Sequence, residues 1–333
     1  MRAALPAPAL LASALLIPAL LAAPFLAVAP ADARTLGAGP GQEFERPSQA
    51  IAEAQAGDVV LIEPGTYYDC ATWVADAVTV AGRAPGVVLS DTTCGSKAIL
   101  VIRGNDATVR DLTLARARVP DGNGAGIRLE GQSLLLERVQ FVNNEVGVLS
   151  GIGGPGSIRV VECRFEGGGV AGDRPSAALS VGEVALLHVE RSVFTGVKGS
   201  GVGSAALETE LRGNQIATSR LAVSAAGGSL LLEDNVLELP PGNEARQAAV
   251  LANGSTSVVM RRNRLLNETG RPATLLLDWT TGAPALEDNV VAASDREVAS
   301  DGVWRHRSNA LLQEAKNGVH GLLGAVKRQL VGQ

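Results

Sequence analysis

A repeat of about 25 residues between Thr108 and Val291 limits the fold more than any other feature of this chain. Each copy has two apolar residues in alternation, a charged pair, a residue that is often Asn, and an apolar residue two positions later. A period in this range is typical of a solenoid or a propeller. The copies end, at spacings of 27, 24, 29, 22, 21, 28 and 26 residues, at Leu114, Phe141, Phe165, Phe194, Ile216, Leu237, Leu265 and Val291.

The pattern inside each copy favours a β-helix. In the copy that ends at Phe141, Leu134 and Leu136 alternate as in a strand, a charged pair interrupts them, and Val139 resumes the alternation. The interruption indicates a corner between two short strands, and a third short strand follows after a Gly-rich turn. The sequence therefore predicts an all-β, right-handed parallel β-helix solenoid. A leucine-rich repeat is the alternative, because residues 230–240 imitate its Leu and Asn spacing.

Two rows of polar residues follow from this alignment. Four successive copies carry Asn at one inward position, and stacked amides can hydrogen-bond to one another, so we expect an asparagine ladder. The charged pairs at the corner largely alternate in sign from copy to copy, which predicts exposed ion pairs worth under about 1 kcal/mol each. Both rows are interpreted as scaffold. The inward row is Leu112, Val139, Cys163, Ser192, Asn214, Asn235, Asn263 and Asn289.

Both ends of a solenoid need a cover, because an open coil leaves strand edges unpaired. At the N-terminal end, residues 47–56 indicate a short capping helix that begins with Pro47 and stops before Gly57. At the C-terminal end, Ser308 can cap an amphipathic helix that runs towards Leu330. Trp73, Tyr67 and Tyr68 are expected to pack against the N-terminal cap.

The first 33 residues have the layout of a secretory signal peptide. We accordingly divide the chain into a signal peptide at 1–33, a β-helix at 34–294, and a C-terminal tail with the amphipathic helix at 295–333. The expected location is secreted or periplasmic, with no transmembrane segment in the mature chain, which is expected to be a monomer. The formal net charge of −5 argues against nucleic acid as a partner.

Three cysteines follow the leader. Cys70 and Cys94 lie in turn-like sequence about one period apart, and export permits oxidation, so we predict a disulfide between them. Cys163 occupies an inward position, where a buried free thiol is expected.

Residues 55–67 and 115–128 resemble segments of secreted right-handed β-helix proteins of the pectin-lyase-like superfamily. With the repeats, the resemblance covers roughly residues 36–293. It implies the fold, but that superfamily includes lyases, hydrolases, epimerases and non-catalytic binders. A uronate lyase or epimerase needs a base beside the sugar carboxylate, and Ca²⁺ is expected only if the protein is such a lyase. The chain has neither an Asp-Pro-His motif nor a paired-Asp motif at the hydrolase position, which argues against an enzyme. No other cofactor is expected.

The candidate site is where the coils become longer. If the turns after Leu114 and Phe165 project from one side, they form a polar wall rich in arginine, and guanidinium groups suit carboxylates and sulfates. We therefore predict an acidic polysaccharide as the partner. The predicted ligand-binding residues are Arg116, Asn123, Glu145, Asp173 and Arg174.

Two alternatives stay open. The protein is a uronate polysaccharide lyase or epimerase, with Arg128, Arg118 and Asp121 as the catalytic candidates, or it is a structural surface protein. His188 is a further candidate base, because it lies between the inward residues Leu187 and Val189 and should point outward.

Overall fold

The computed structural model describes residues 33–151, 154–171, 174–242, 248–279, 283–292 and 304–306. The predicted signal peptide, apart from its last residue, and the predicted C-terminal helix lie outside these ranges. Among the described residues, no helix is long and apolar enough to cross a membrane.

Three parallel sheets, here named A, B and C, form the described part of the molecule. From Val59 onwards each coil contributes one strand to each sheet in that order, and Thr35–Ala38 adds a further strand to sheet A. Sheet A consists of Thr35–Ala38, Val59–Ile62, Thr79–Gly82, Ala107–Arg110, Leu134–Glu137, Ser157–Val161, Leu186–Glu190, Glu208–Arg212, Ser229–Glu233, Ser257–Arg261 and Ala285–Glu287. Sheet B consists of Gly65–Tyr67, Val87–Ser90, Thr113–Ala115, Gln140–Val142, Arg164–Glu166, Val193–Val197, Gln215–Thr218, Val236–Leu239, Arg264–Asn267 and Val290–Ala292. Sheet C consists of Ala71–Trp73, Ala98–Ile102, Ala125–Leu129, Val146–Ser150, Ala177–Val181, Ser200–Ser204, Val223–Ala226, Ala248–Asn253, Thr274–Asp278 and Trp304–His306.

The predicted parallel β-helix is confirmed. Residues at equivalent repeat positions pair in register, as Leu134 does with Ile158 and Phe141 with Phe165. The apolar residues of the repeat are buried, and they form one continuous core along the coils. The described ranges contain a single helix, Pro47–Glu53, so the leucine-rich repeat is excluded there.

The corner between sheets A and B repeats one backbone conformation. Its residue has a positive φ in successive coils, for example 52° at Arg138, 55° at Glu162 and 46° at Arg191. This left-handed residue turns the chain sharply between two strands. The charges there form the predicted ion pairs between neighbouring coils: Arg138 Nε lies 2.7 Å from Asp111 Oδ1, and Arg191 Nε lies 3.2 Å from Glu162 Oε1.

The asparagine ladder is confirmed. Asn214 Nδ2 donates to Asn235 Oδ1 at 2.9 Å, and Asn235 Nδ2 donates to Asn263 Oδ1 at the same distance. The row then continues to Asn289. Each Oδ1 also accepts the backbone N–H of the residue in the preceding coil, as Asn214 Oδ1 does from Ser192. The buried amides therefore find their hydrogen-bond partners in the neighbouring coils.

A second internal row explains the glycine at the second position of two strands of sheet C. Phe141, Phe165 and Phe194 stack with ring centroids 4.6 and 4.5 Å apart. A Cβ at Gly126 or Gly147 would lie 2.8 or 2.7 Å from a ring carbon of Phe141 or Phe165. Glycine is needed at these positions because the rings occupy the space that a side chain would take.

The ends differ in detail from the expectation. A strand that the repeat did not predict, Thr35–Ala38, precedes the capping helix and pairs with Val59–Ile62. The helix covers Pro47–Glu53 rather than 47–56, because Ala54 is already extended. Trp304–His306 adds a strand to sheet C within the segment assigned to the tail.

The cysteines are found in the states that the sequence suggests. Cys70 and Cys94 form a disulfide with their Cα atoms 5.5 Å apart. Cys163 is free and buried. Burial raises the pKa of its thiol to about 12, so it stays protonated at neutral pH.

Candidate functional site

Both long turns leave sheet B and enter sheet C. One connects Thr113–Ala115 to Ala125–Leu129, and the other connects Arg164–Glu166 to Ala177–Val181. The second turn contains a short antiparallel pair, Val170–Ala171 with Arg174–Pro175. Because all such connections follow the same edge of sheet C, both turns flank its outer face.

The outer face of sheet C carries one continuous row of residues in register. Most of them are small or uncharged, which makes the row flat, and its two charged residues are Arg128 and, on the last strand, Arg305. In coil order the row is Thr72, Val101, Arg128, Leu149, Ser180, Gly203, Ser224, Leu251, Leu277 and Arg305.

Arg128 differs from the other arginines of this region. It is half-buried, its Nε is shielded from solvent, and that Nε has no hydrogen-bond partner. Val101 and Leu149 are its neighbours in the row, and both belong to a small apolar cluster outside the main core. Within the described part of the chain, Arg128 forms no ion pair. A buried donor without a partner is costly, and an incoming acceptor would remove that cost.

Arg116 is already engaged in an ion pair. Its Nε and Nη2 lie 2.8 and 2.6 Å from the two carboxylate oxygens of Asp91. The hydrogen bonds from Arg116 lower the pKa of Asp91, and Asp91 raises the pKa of Arg116. A ligand at Arg116 would therefore have to compete with a bidentate partner.

Arg118 and Glu145 both contact the backbone of the first long turn. Arg118 Nη1 donates to the carbonyls of Ala117 and Asn143. Glu145 Oε2 accepts from the backbone N–H groups of Val119 at 3.1 Å and Gly124 at 2.6 Å. These contacts fix the shape of the turn. They also leave fewer hydrogen-bonding atoms of Arg118 and Glu145 free to bind a ligand.

The remaining predicted site residues belong to the tip of this turn and to the second long turn. Asn123 Nδ2 donates to Asp121 Oδ2 at 2.9 Å, and Asp121 is exposed. Asp173 and the side chain of Arg174 lie outside what the structure describes. Six predicted residues thus share the edge of sheet C or its outer face: Arg116, Arg118, Asp121, Asn123, Arg128 and Glu145.

Three residues of this edge were not predicted as part of the site. Asn144 is buried, accepts from the Ala117 N–H at 2.9 Å, and donates to the Leu114 carbonyl at 2.8 Å. Asp91 pairs with Arg116 across 25 residues, one repeat, so the period itself was the signal for it. The third is Tyr68.

The expectation that both tyrosines pack against the cap was wrong for Tyr68. Tyr67 is half-buried and its hydroxyl donates to the Glu63 carbonyl at 2.8 Å, and Trp73 is buried. Tyr68 is 71% exposed. It lies on the connection from sheet B to sheet C, close enough to Arg116 to affect its pKa. The ring is therefore available at the N-terminal end of the same edge.

His188 lies on another face. It is on sheet A, mostly buried, with Nδ1 3.1 Å from Glu210 Oε2 and Nε2 3.4 Å from Glu190 Oε2. It does not join the Arg128 face. Across the described ranges, no group of three or more His, Cys, Asp or Glu residues could hold a metal ion.

Comparisons with known proteins give distant structural similarity. No protein-family model and no curated protein match the chain. The structure is similar to the A-module of mannuronan C-5 epimerase from Azotobacter vinelandii, with 15% identity, 76% of this chain and 90% of that chain covered, and a TM-score of 0.41. A pectin methylesterase in complex with a hexasaccharide has 12% sequence identity and a TM-score of 0.42, with 85% of this chain and 94% of that chain covered. The pectin methylesterase of Aspergillus niger has 10% identity and a TM-score of 0.40, with 84% of this chain and 91% of that chain covered. Similarity this low carries no argument about activity.

Proposed function

We propose that the protein binds an acidic polysaccharide, outside the cytoplasm, along the outer face of sheet C. The observation that carries this proposal is the unpaired guanidinium of Arg128 in a row of small and apolar residues. A sugar carboxylate would give its buried Nε an acceptor and form a charge-assisted hydrogen bond.

The surroundings of Arg128 support a polymeric ligand. Ser180, Gly203 and Ser224 extend the row away from Arg128 with little relief, so an elongated chain can lie along the solenoid axis. At the other end, the exposed ring of Tyr68 offers an apolar face with a polar tip. The first long turn forms one side of this surface, and Glu145 and Asn144 hold its shape.

Calorimetric titration with polygalacturonate and with alginate tests the proposal. We expect wild-type binding, a loss of about tenfold or more in Arg128→Ala, and a smaller loss in Arg128→Lys, which keeps the charge without the planar fork. Arg159→Ala is the matched control, because Arg159 is an exposed arginine on the outer face of sheet A. The proposal fails if neither polymer binds, or if Arg128→Ala and Arg159→Ala behave alike.

The same observation keeps uronate lyase or epimerase activity as a second candidate. An arginine without a carboxylate partner is what proton abstraction by a guanidine base requires, and Asp121 is exposed on the adjoining turn. A lyase would release an unsaturated product that absorbs in the ultraviolet, and an epimerase would change the uronate composition of alginate. If no uronate polymer gives either product, the catalytic candidate is excluded and only the binding function is left.

A further inference from the structure

A cleft lies at the corner between sheets A and B, away from sheet C. Most coils turn this corner tightly, but the coil of Thr79–Gly82 continues through four residues, 83–86, before Val87–Ser90 begins. This longer turn forms one wall of a cavity of about 370 Å³, and the corners of the next two coils form the rest. Its volume falls within the range of small-molecule sites.

Five of the residues that line the cavity have side chains that donate hydrogen bonds. Arg83, Arg110 and Arg138 each contribute a guanidinium, and Gln140 and Thr113 add an amide and a hydroxyl. Ala84, Pro85 and Val87 supply an apolar side. This combination matches a sugar ring that carries an oxyanion.

Asp111 is the one carboxylate among the lining residues, and its oxygens are already occupied. Oδ1 accepts from Arg138 Nε at 2.7 Å, and Oδ2 accepts from Arg110 Nη1 at 2.8 Å. These arginines, Arg138 foremost, lower the pKa of Asp111. Glu63, which pairs with Arg83, and Glu137 do not line the cavity. The residues that line the cleft therefore include three arginines and one carboxylate, and Arg83 is also paired with Glu63 outside it.

We propose that this cleft binds a single carboxylated sugar, with its carboxylate held by Arg83, Arg110 and Arg138 and its hydroxyls by Gln140 and Thr113. Arg138 gives Asp111 its Nε and Nη2, and Arg110 gives Asp111 its Nη1, so a second carboxylate would use the N–H donors that remain on these two groups. The cleft is on a different part of the coil from the row around Arg128. The proposal is therefore independent of polymer binding on sheet C.

Calorimetric titration of the full chain at low ionic strength, with D-glucuronate and separately with sodium sulfate, tests this site. We expect one glucuronate per chain, bound more tightly than sulfate. Arg138→Asn and Arg83→Gln should each weaken glucuronate binding by about fivefold or more. Arg191→Asn is the matched control, because Arg191 has the same left-handed corner conformation and an ion pair but lines no part of the cleft. Asn is tolerated in that conformation.

Several results would overturn the proposal. These are the absence of glucuronate binding, sulfate binding that is as tight, and an equal loss in Arg138→Asn and Arg191→Asn. Arg128→Ala separates the two sites: it should leave glucuronate binding within about twofold of wild type. Loss of glucuronate binding in Arg128→Ala would place the sugar on sheet C and contradict the cleft. Glucuronate binding without polymer binding would contradict only the function proposed for sheet C.

Discussion

Arginine side chains in the N-terminal half of the solenoid have different environments, although the sequence alone does not distinguish them. Arg116 is paired with Asp91, Arg118 donates to backbone carbonyls, and Arg128 is unpaired at Nε. The sequence identified all three as candidates but could not rank them, because the ranking depends on contacts between coils. The partner of Arg116 is one repeat away and follows from the period. The conformation of Arg118 depends on the fold of the turn, which no spacing reveals.

Asp58 is the residue for which the clearest pH dependence is expected. It is buried and accepts from Arg34 Nε at 3.0 Å and from the Gln55 N–H at 2.8 Å. These bonds, the one from Arg34 foremost, lower the pKa of Asp58 to about 2. A pKa below its unfolded value means that the carboxylate stabilises the fold above pH of about 4, and that this contribution is lost as the pH falls towards 2.

We expect Asp58→Asn to destabilise the protein by about 1–3 kcal/mol at neutral pH, since hydrogen bonds to a buried charge are lost. Solvent around the half-exposed Arg34 should keep the loss near the lower end. Urea unfolding between pH 7 and pH 2 measures it, and the difference between variant and wild type should shrink below pH of about 4. Asp288→Asn, at an exposed corner near the other end, is the control. If the difference in unfolding free energy between Asp58→Asn and wild type were the same at every pH, the lowered pKa of Asp58 would be contradicted.

At the scale of strands and turns, the regular part of the chain was predictable and the ends were not. The corner, the asparagine ladder and the ion pairs follow from residues that recur at fixed positions, because every coil meets the same neighbours. Thr35–Ala38 has no equivalent position in the aligned copies, so the period could not reveal it. The capping helix was found from Pro47, but its end depends on the contacts of one coil and was placed three residues too late.

The asparagine ladder makes a direct prediction about stability. Asn235 Oδ1 accepts from both the backbone N–H and the Nδ2 of Asn214, and its own Nδ2 donates to Asn263 and to the Leu211 carbonyl. Asn235→Ala would leave several buried polar groups without partners. Each such group costs about 1–3 kcal/mol, so the loss should be one of the largest for a single polar side chain here.

Thermal and urea unfolding of Asn235→Ala measure this loss, with Gln215→Ala as the control. Gln215 follows the ladder residue Asn214 directly but is exposed, and its amide reaches only Glu238 in the next coil. We expect the control to change stability by less than about 0.5 kcal/mol. Equal effects of the two substitutions would mean that the ladder amides are replaced by water at little cost.

At the scale of the whole molecule, the fold determines which candidates can meet. Sheet order brings the two long turns to one edge of sheet C, and this could be deduced once the repeat was aligned. The same order separates His188 from that edge, on sheet A. What the sequence could not give is the exposure of Tyr68 and the unpaired Nε of Arg128. Both depend on how neighbouring coils pack, and neither residue repeats.

The net charge of the chain predicts an unusual salt dependence for polymer binding. A protein with a net charge of −5 repels a polyanion at long range, while Arg128 attracts it only on contact. The screening length falls from about 30 Å at 0.01 M salt to about 10 Å at 0.1 M, which removes the repulsion first, because a partly buried contact is screened less. We therefore expect the association rate for polygalacturonate, measured by stopped-flow, to rise over this range. An uncharged polysaccharide of similar length should show no such trend. An association rate that falls steeply with salt would instead indicate capture by a broad basic surface, and it would contradict a site built around one arginine.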